Sequence, residues 1–228
     1  MRKNFFIVAT PIGNLEDISF RAIRILQEVD IILCEDTRVT KKLLQHYDIQ
    51  TPTESYHAQA SLTKEDSIIE RMDNGVTFAL VSDAGTPTIS DPGVKIIQRI
   101  YEEFEGTVSI QSIPGASALI TALTTTGFTG NQFTFFGFVP HKKGRSTLFE
   151  QIKNTEHISV FYESPHRIMR TLKDLAERFD IHRHIAVCRE LTKLYEEIVR
   201  GSAEEVYAFF IDNPEKIKGE FVVVVDKK

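Results

Sequence analysis

The residues able to do chemistry gather in seven short segments. Three combine glycine, proline and small polar residues: TPIGNL at 10–15, SDAGTP at 82–87 and IPGASA at 113–118. Four are rich in charge: CEDTR at 34–38, YESPHR at 162–167, RELTK at 189–193 and KGE at 218–220. Backbone exposed at Gly85 and Gly115 lets a ligand approach closely. Ala116, Ser117 and Ala118 leave room at a helix N-terminus, whose free amides favour an anionic group such as a ligand carboxylate. Asp83 on the same rim can accept from ribose hydroxyls or an amino group, or cap its own loop. TPIGNL lacks both the three-glycine spacing of a dinucleotide loop and the Gly-Lys-Ser/Thr ending of a P-loop.

In the charged segments, Glu163 and Glu190 stand at expected strand ends, where a carboxylate either handles a substrate proton or pairs with a neighbouring cation. Ser164-Pro165 reads as a helix N-cap followed by a first-turn proline. His166 in that turn faces solvent or moves a proton. Basic residues cluster as His141, Lys142, Lys143 and Arg145 in one loop, and as Arg167, Arg170, Lys173 and Arg178 along the polar side of one helix. Such a run is either a solvated face or a patch that tracks phosphates with salt-dependent affinity.

Composition narrows the classes. The formal charge of -5 over 228 residues argues against coating nucleic acid by bulk electrostatics, while leaving room for a local basic patch. The seven histidines show no CxxC, no HExxH and no close carboxylate partners, so no metal site is expected. Cys34 and Cys188 lie in apolar runs and read as buried thiols of a reducing compartment. No stretch approaches the roughly 20 apolar residues of a membrane span. The apolar run 5–9 behind Arg2 and Lys3 is too short for a signal sequence, which points to the cytoplasm.

Strand-like and helix-like segments alternate along the chain, as crossover helices over a largely parallel sheet require, so the fold class is α/β. Strands are expected at 5–9, 31–34, 76–81, 108–112, 133–136, 158–162, 185–189, 194–199 and 221–225. Helices are expected at 18–29, 37–47, 61–72, from Asp91-Pro92 to Gly106, from Pro114-Gly115 to Gly127, and at 146–153, 165–179 and 203–211. The domain boundary is placed between 1–112 and 113–228. Adjacent strands late in the chain predict a mixed second sheet.

Taken in order, TPIGNL, CEDTR, SDAGTPTISDPG, PGASA, YESPHR, RELTK and KGE resemble the 16S ribosomal RNA cytidine 2′-O-methyltransferases of the tetrapyrrole methylase-like class, from Phe5 to about Val225. The resemblance implies two α/β domains with S-adenosyl-L-methionine in the cleft between them, a homodimer, and a ribose of 16S rRNA in the small ribosomal subunit as substrate. It places Pro11, Gly13, Asp83, Ala84, Gly85, Thr86, Ile89, Ser117 and Ala118 around the cofactor. Glu163, Ser164, Leu191, Gly219 and Glu220 complete the wall. Ala116 stands where relatives often have proline. Relatives also generally continue into a further helical segment beyond KGEFVVVV, so a shortened form with weaker substrate binding is one expectation.

Methyl transfer from a sulfonium is an in-line displacement that needs alignment and removal of the hydroxyl proton. Glu163 and Glu190 are the candidates for that proton. Lys142, Lys143, Arg145, Arg167 and Arg170 are the candidates for RNA. Two other readings fit the same segments: a methylase of this fold acting on a tetrapyrrole precursor, and a nucleotide-binding protein without catalysis.

Overall fold

The structure is a computed structural model that describes residues 3–57 and 59–228, so Arg2 lies outside the described residues. The chain divides into two compact units, Met1–Ser117 and Ala118–Lys228. The division falls five residues later than the expected 112/113, because the strand that ends the first sheet runs on through Ile113 and the loop behind it stays with the first unit.

The first unit holds β1 (Lys3–Val8), β2 (Ile31–Cys34), β3 (Thr53–Ser55), β4 (Phe78–Leu80) and β5 (Val108–Ile113) in one parallel sheet, ordered β3-β2-β4-β1-β5. Its helices are α1 (Phe20–Glu28), α2 (Thr37–His46), α3 (Leu62–Asp73) and α4 (Val94–Phe104). Successive side chains of a strand point to opposite faces, and both faces here are apolar. Phe6 and Val8 pack with Ala22, Ile25, Leu26 and Leu44 of α1 and α2. Phe5 packs with Ile68, Met72, Ile96 and Ile100 of α3 and α4. Ser19 and Ser61 cap α1 and α3 by accepting from the amides of Ala22 and Lys64. Because the strands are parallel, the loops after β1, β2, β4 and β5 all leave from one edge of the sheet.

Asp91 is not the cap of α4. The helix starts at Val94 behind Gly93, which has φ 127° and no capping side chain. A Cβ on Gly93 would lie 2.5 Å from Cδ2 of Leu80, so close packing on β4 sets the start. The sequence also did not foretell β3, a short, half-exposed Thr-Glu-Ser edge.

The second unit holds β6 (Phe133–Phe138), β7 (Ile158–Glu163), β8 (His184–Arg189), β9 (Glu197–Ser202) and β10 (Phe221–Val225), ordered β6-β7-β10-β8-β9. Only β6 and β7 are parallel; the other pairs are antiparallel, giving the mixed sheet. The helices are α5 (Ala118–Thr126), α6 (Arg145–Asn154), α7 (Ile168–Ala176) and α8 (Ala203–Asp212). Phe161, Val187 and Val223 meet Phe149, Ile152, Leu172, Leu175, Val206 and Phe210 on one face, and α5 packs against β10. On the edge strand β6 a bulge shifts the register between Phe135 and Phe138, with Gly137 at φ 64°.

Several expected bounds move, among them the start of α5, at Ala118 instead of Pro114-Gly115, and the starts of α7 and β9. Helix α7 begins at Ile168, because the amides of Arg167 and Ile168 both donate to the Ser164 carbonyl and 165–167 become a turn. Strand β9 begins at Glu197, because Glu190 (φ 51°) and Thr192 (φ 67°) adopt left-handed backbone and 190–196 curl before the strand starts.

Candidate active-site loops

At the carboxyl edge of the first sheet the loops are tied to one another. Thr10 and Gly85 form an isolated antiparallel bridge, the Thr10 amide donating to the Gly85 carbonyl at 2.9 Å and the Gly85 amide to the Thr10 carbonyl at 3.0 Å. The Thr10 hydroxyl donates to the Ser82 carbonyl at 3.1 Å, and the Thr86 hydroxyl to the Ala116 carbonyl at 3.1 Å. The Asp36 amide donates to Oδ1 of Asp83 at 3.0 Å, which draws in the CEDTR segment. Segments 10–15, 34–38, 82–87 and 113–117 thus form one assembly, as their common strand ends demand.

Glycine makes the assembly possible. Gly85 has φ 82°, and a Cβ there would stand 3.2 Å from Cγ2 of Ile12. A Cβ on Gly115 would press on that of Ala9 at 3.0 Å. Pro11 and Thr86 are half-buried, while Gly13, Asp83, Ala84 and Ile89 are exposed on the surface of these loops. Ser117 is the last residue of the first unit and Ala118 the first of α5; both are half-buried.

Acidic groups ring this edge. Asp36 is held at about 2, well below the ordinary carboxylate value, by hydrogen bonds from the Arg38 guanidinium and amide. Asp91 moves the other way: burial, reinforced by the charges of Glu35 and Asp83 against a bond from Ser82, pushes its carboxyl from 3.8 to about 6. Asp91 was read from sequence only as a cap. Its partial burial beside other carboxylates was invisible without the turn that carries it.

In the second unit, the carboxyl ends of β6, β7 and β8 and the start of β10 share one edge, since Phe221 of β10 stands opposite both Glu163 and Arg189. RELTK and KGE meet there. The Glu190 amide donates to the Glu220 carbonyl at 3.0 Å, and the Glu220 amide returns a bond to Oε1 of Glu190 at 3.0 Å. Nζ of Lys193 donates to both carboxylates at 3.0 Å. Burial raises the Glu190 carboxyl, but Lys193 and the Glu220 amide outweigh it and the net shift is downward. Gly219 at φ 87° leaves the space that the Glu190 carboxyl fills. Leu191 is buried, Gly219 half-buried and Glu220 exposed.

Glu163 is the main correction to the sequence reading. It is 2% exposed and every direction around its carboxylate is occupied. Oε1 accepts from the Ser164 amide at 2.8 Å and pairs with Nη2 of Arg167 at 2.9 Å. Oε2 accepts from the Thr171 hydroxyl at 2.7 Å and faces Nη1 of Arg145 at 3.8 Å. A carboxylate so enclosed anchors its surroundings and has no face for a substrate proton.

Arg145, expected as an RNA contact, is instead 4% exposed, with Nε on Asp174 at 2.9 Å and Nη2 on Thr171 at 2.9 Å. Arg167 is committed as well, through Nη1 to the Val139 carbonyl at 2.7 Å and Nε to the Ser164 hydroxyl at 3.2 Å. Ser164 therefore accepts a side-chain bond and starts a turn instead of capping α7. Lys142, Lys143, Arg170 and Lys173 remain exposed. Sequence reasoning missed Thr171 and Asp174. The available signal was Thr171 in the buried stripe of α7 with Ile168, Leu172 and Leu175, a polar residue where only a polar partner justifies one. Cys34 and Cys188 are buried and free, and burial raises the Cys188 thiol to about 11.

Residues 4–207 match the model of the tetrapyrrole (corrin/porphyrin) methylases. A ribosomal RNA small subunit methyltransferase I of Halalkalibacterium halodurans is 47% identical over 222 residues, spanning 97% of this chain and 75% of that protein. The Thermotoga maritima protein of that name is 41% identical over 97% of both chains. Among solved structures, a cobalt precorrin-4 methyltransferase aligns with a TM-score of 0.69 at 16% identity over 98% of this chain and 95% of the other. A uroporphyrin-III C-methyl transferase from Thermus thermophilus, complexed with S-adenyl homocysteine, aligns at 0.64 and 16% over 98% and 97%. With this fold and these loops, the chain belongs to the tetrapyrrole methylase family, within the group of ribosomal RNA small subunit methyltransferase I proteins.

Proposed function

We propose that this chain uses S-adenosyl-L-methionine to methylate the 2′-hydroxyl of a cytidine ribose in 16S rRNA of the small ribosomal subunit. The observation that carries the reading is the loop assembly around the Thr10–Gly85 bridge, joined through backbone and hydroxyl groups, with Asp83 and Ala84 left exposed. These residues fit the cofactor: Gly85 and Gly115 keep Cβ atoms out of the crowded junctions, and Asp83 offers its free carboxylate oxygen to ribose hydroxyls or an amino group. Pro11, Gly13, Thr86, Ile89, Ser117 and Ala118 are the further cofactor candidates at this edge and its exit, and Ser164, Leu191, Gly219 and Glu220 those at the carboxyl edge of the second sheet. When bound, the cofactor supplies an electrophilic methyl on a sulfonium, open to in-line displacement by a hydroxyl oxygen.

Glu190 keeps a fixed negative charge beside Lys193, and we assign it the orienting of the substrate hydroxyl. Exposed Lys142, Lys143 and Arg170 follow the phosphates. The RNA substrate is supported by relatives at 38–47% identity that are named for it. The tetrapyrrole alternative draws on solved structures at 14–18% identity, which carry the fold alone. A homodimer in the cytoplasm follows from the same family resemblance; among the described residues no helix is long and apolar enough to cross a membrane.

Incubation with labelled methyl donor and small subunits lacking the modification, beside naked 16S RNA, tests the reading. Label is expected on one cytidine ribose. Label on a base, or on neither substrate, overturns it.

A further inference from the structure

We propose that Arg145 is a positioning residue for RNA contact: a buried strut, footed on Glu163 and Asp174, that fixes the loop carrying Lys142 and Lys143. The proposal rests on the reading of that loop as a phosphate contact and adds what holds it in place.

The first residue of a helix after an exposed loop is ordinarily solvated, and removing a guanidinium from water costs several kcal/mol unless its donors are met. Arg145, the first residue of α6, is buried all the same. Its donors reach Asp174 and Thr171, its charge faces Glu163, and its guanidinium lies 4.9 Å from the Phe149 ring centroid. Its backbone amide turns back to the Lys142 carbonyl at 3.3 Å, closing a tight turn in which Gly144 has φ 87°. One residue therefore reaches into the interior with its side chain and grips the lysine turn with its main chain.

The other end of the loop is held in the same way. Nη1 of Arg167 donates to the Val139 carbonyl while Nη2 pairs with Glu163, so both ends of segment 139–145 are fixed by arginines that share one carboxylate. Between the fixed ends only His141, Lys142, Lys143 and Gly144 are exposed. Stability alone would be served by apolar side chains at the arginine positions, since a buried ion network is often no more stabilising than a packed apolar one. What the network adds is a fixed display of two ammonium groups, which spares ordering cost when a phosphate chain docks.

The test is the salt dependence of binding to small ribosomal subunits lacking the modification, titrated with KCl at constant magnesium. Each phosphate engaged contributes about 0.7–0.9 to the slope of log affinity against log salt. The double variant Lys142→Ala, Lys143→Ala is expected to lower the slope by about 1.4–1.8. Arg145→Met is expected to lower it by the same amount with both lysines present, and to add nothing to the double lysine variant. Asp174→Asn removes one foot at a half-exposed residue and is expected to lower the slope partway; it decides the matter where Arg145→Met does not fold. A merely structural role would lower the melting temperature without touching the slope. Wild-type slopes for Arg145→Met and Asp174→Asn, with a lowered slope for the lysine pair, overturn the strut and leave the RNA reading standing. A wild-type slope for the lysine pair overturns the reading of the loop itself and the strut with it.

Discussion

At the edge of the first unit the loops are joined mainly by main-chain groups and hydroxyls, through the Thr10–Gly85 bridge, Thr10 to Ser82 and Thr86 to Ala116, with the Asp83 carboxylate adding a bond from the Asp36 amide. At the edge of the second unit the joints are charged side chains, with Glu163 between Arg145 and Arg167, and Lys193 between Glu190 and Glu220. Main-chain joints occupy little volume and leave the surface free for a ligand to press against backbone. Charged joints fill the space they bridge, and they are expensive to break because each partner is left unpaired. Substitutions should therefore cost binding first at one edge and folding first at the other.

The sharpest break of that contrast is Glu163→Ala, which strands two arginines and the Thr171 hydroxyl. A loss of about 3–5 kcal/mol is expected, read as a fall in melting temperature of roughly 10 °C or more. Gly85→Ala probes the opposite edge. Its left-handed backbone and the nearby Ile12 should cost about 1–2 kcal/mol, with cofactor affinity by calorimetry falling at least tenfold. An affinity within twofold of the parent would show that the bridge is not part of the cofactor wall.

Asp91→Asn isolates an unpaired charge on the first edge. Its carboxyl is raised from 3.8 to about 6, so the neutral acid is favoured in the folded chain. The stabilisation from that preference is complete below pH 3.8 and is lost as pH rises through about 6. Asparagine should gain about 1 kcal/mol at pH 7.5, after discounting for partial exposure, and nothing at pH 3.5. Denaturant midpoints at the two pH values check the sign. Arg24→Ala removes an exposed pair with Glu28 on α1 and should shift stability by less than about 0.5 kcal/mol.

The alternation of strand and helix was legible because each element carries its own period. β2 and β10 were read to the residue, and α1, α2 and α3 to within two residues at either end. What failed was local backbone detail decided by distant packing: the start of α4 depends on Leu80, and that of β9 on two left-handed residues. The glycine loops were legible as a set, since glycine and proline declare their backbone needs in the sequence. The fate of the charges was not. Arg145 and Arg170 look alike as letters, yet one is enclosed and the other exposed, and the difference comes from Glu163 of β7 meeting Thr171 and Asp174 of α7 around the guanidinium.

The bulge in β6 bears on how the chain behaves in concentrated solution. FTFFGF puts four phenylalanines and no charge on a sheet rim, with Phe133 and Phe138 exposed. A straight rim of this composition is a template on which a second chain can lay its own strand and begin a polymer. The bulge at Gly137 interrupts it, so that an incoming strand would not find an unbroken ladder along all six residues.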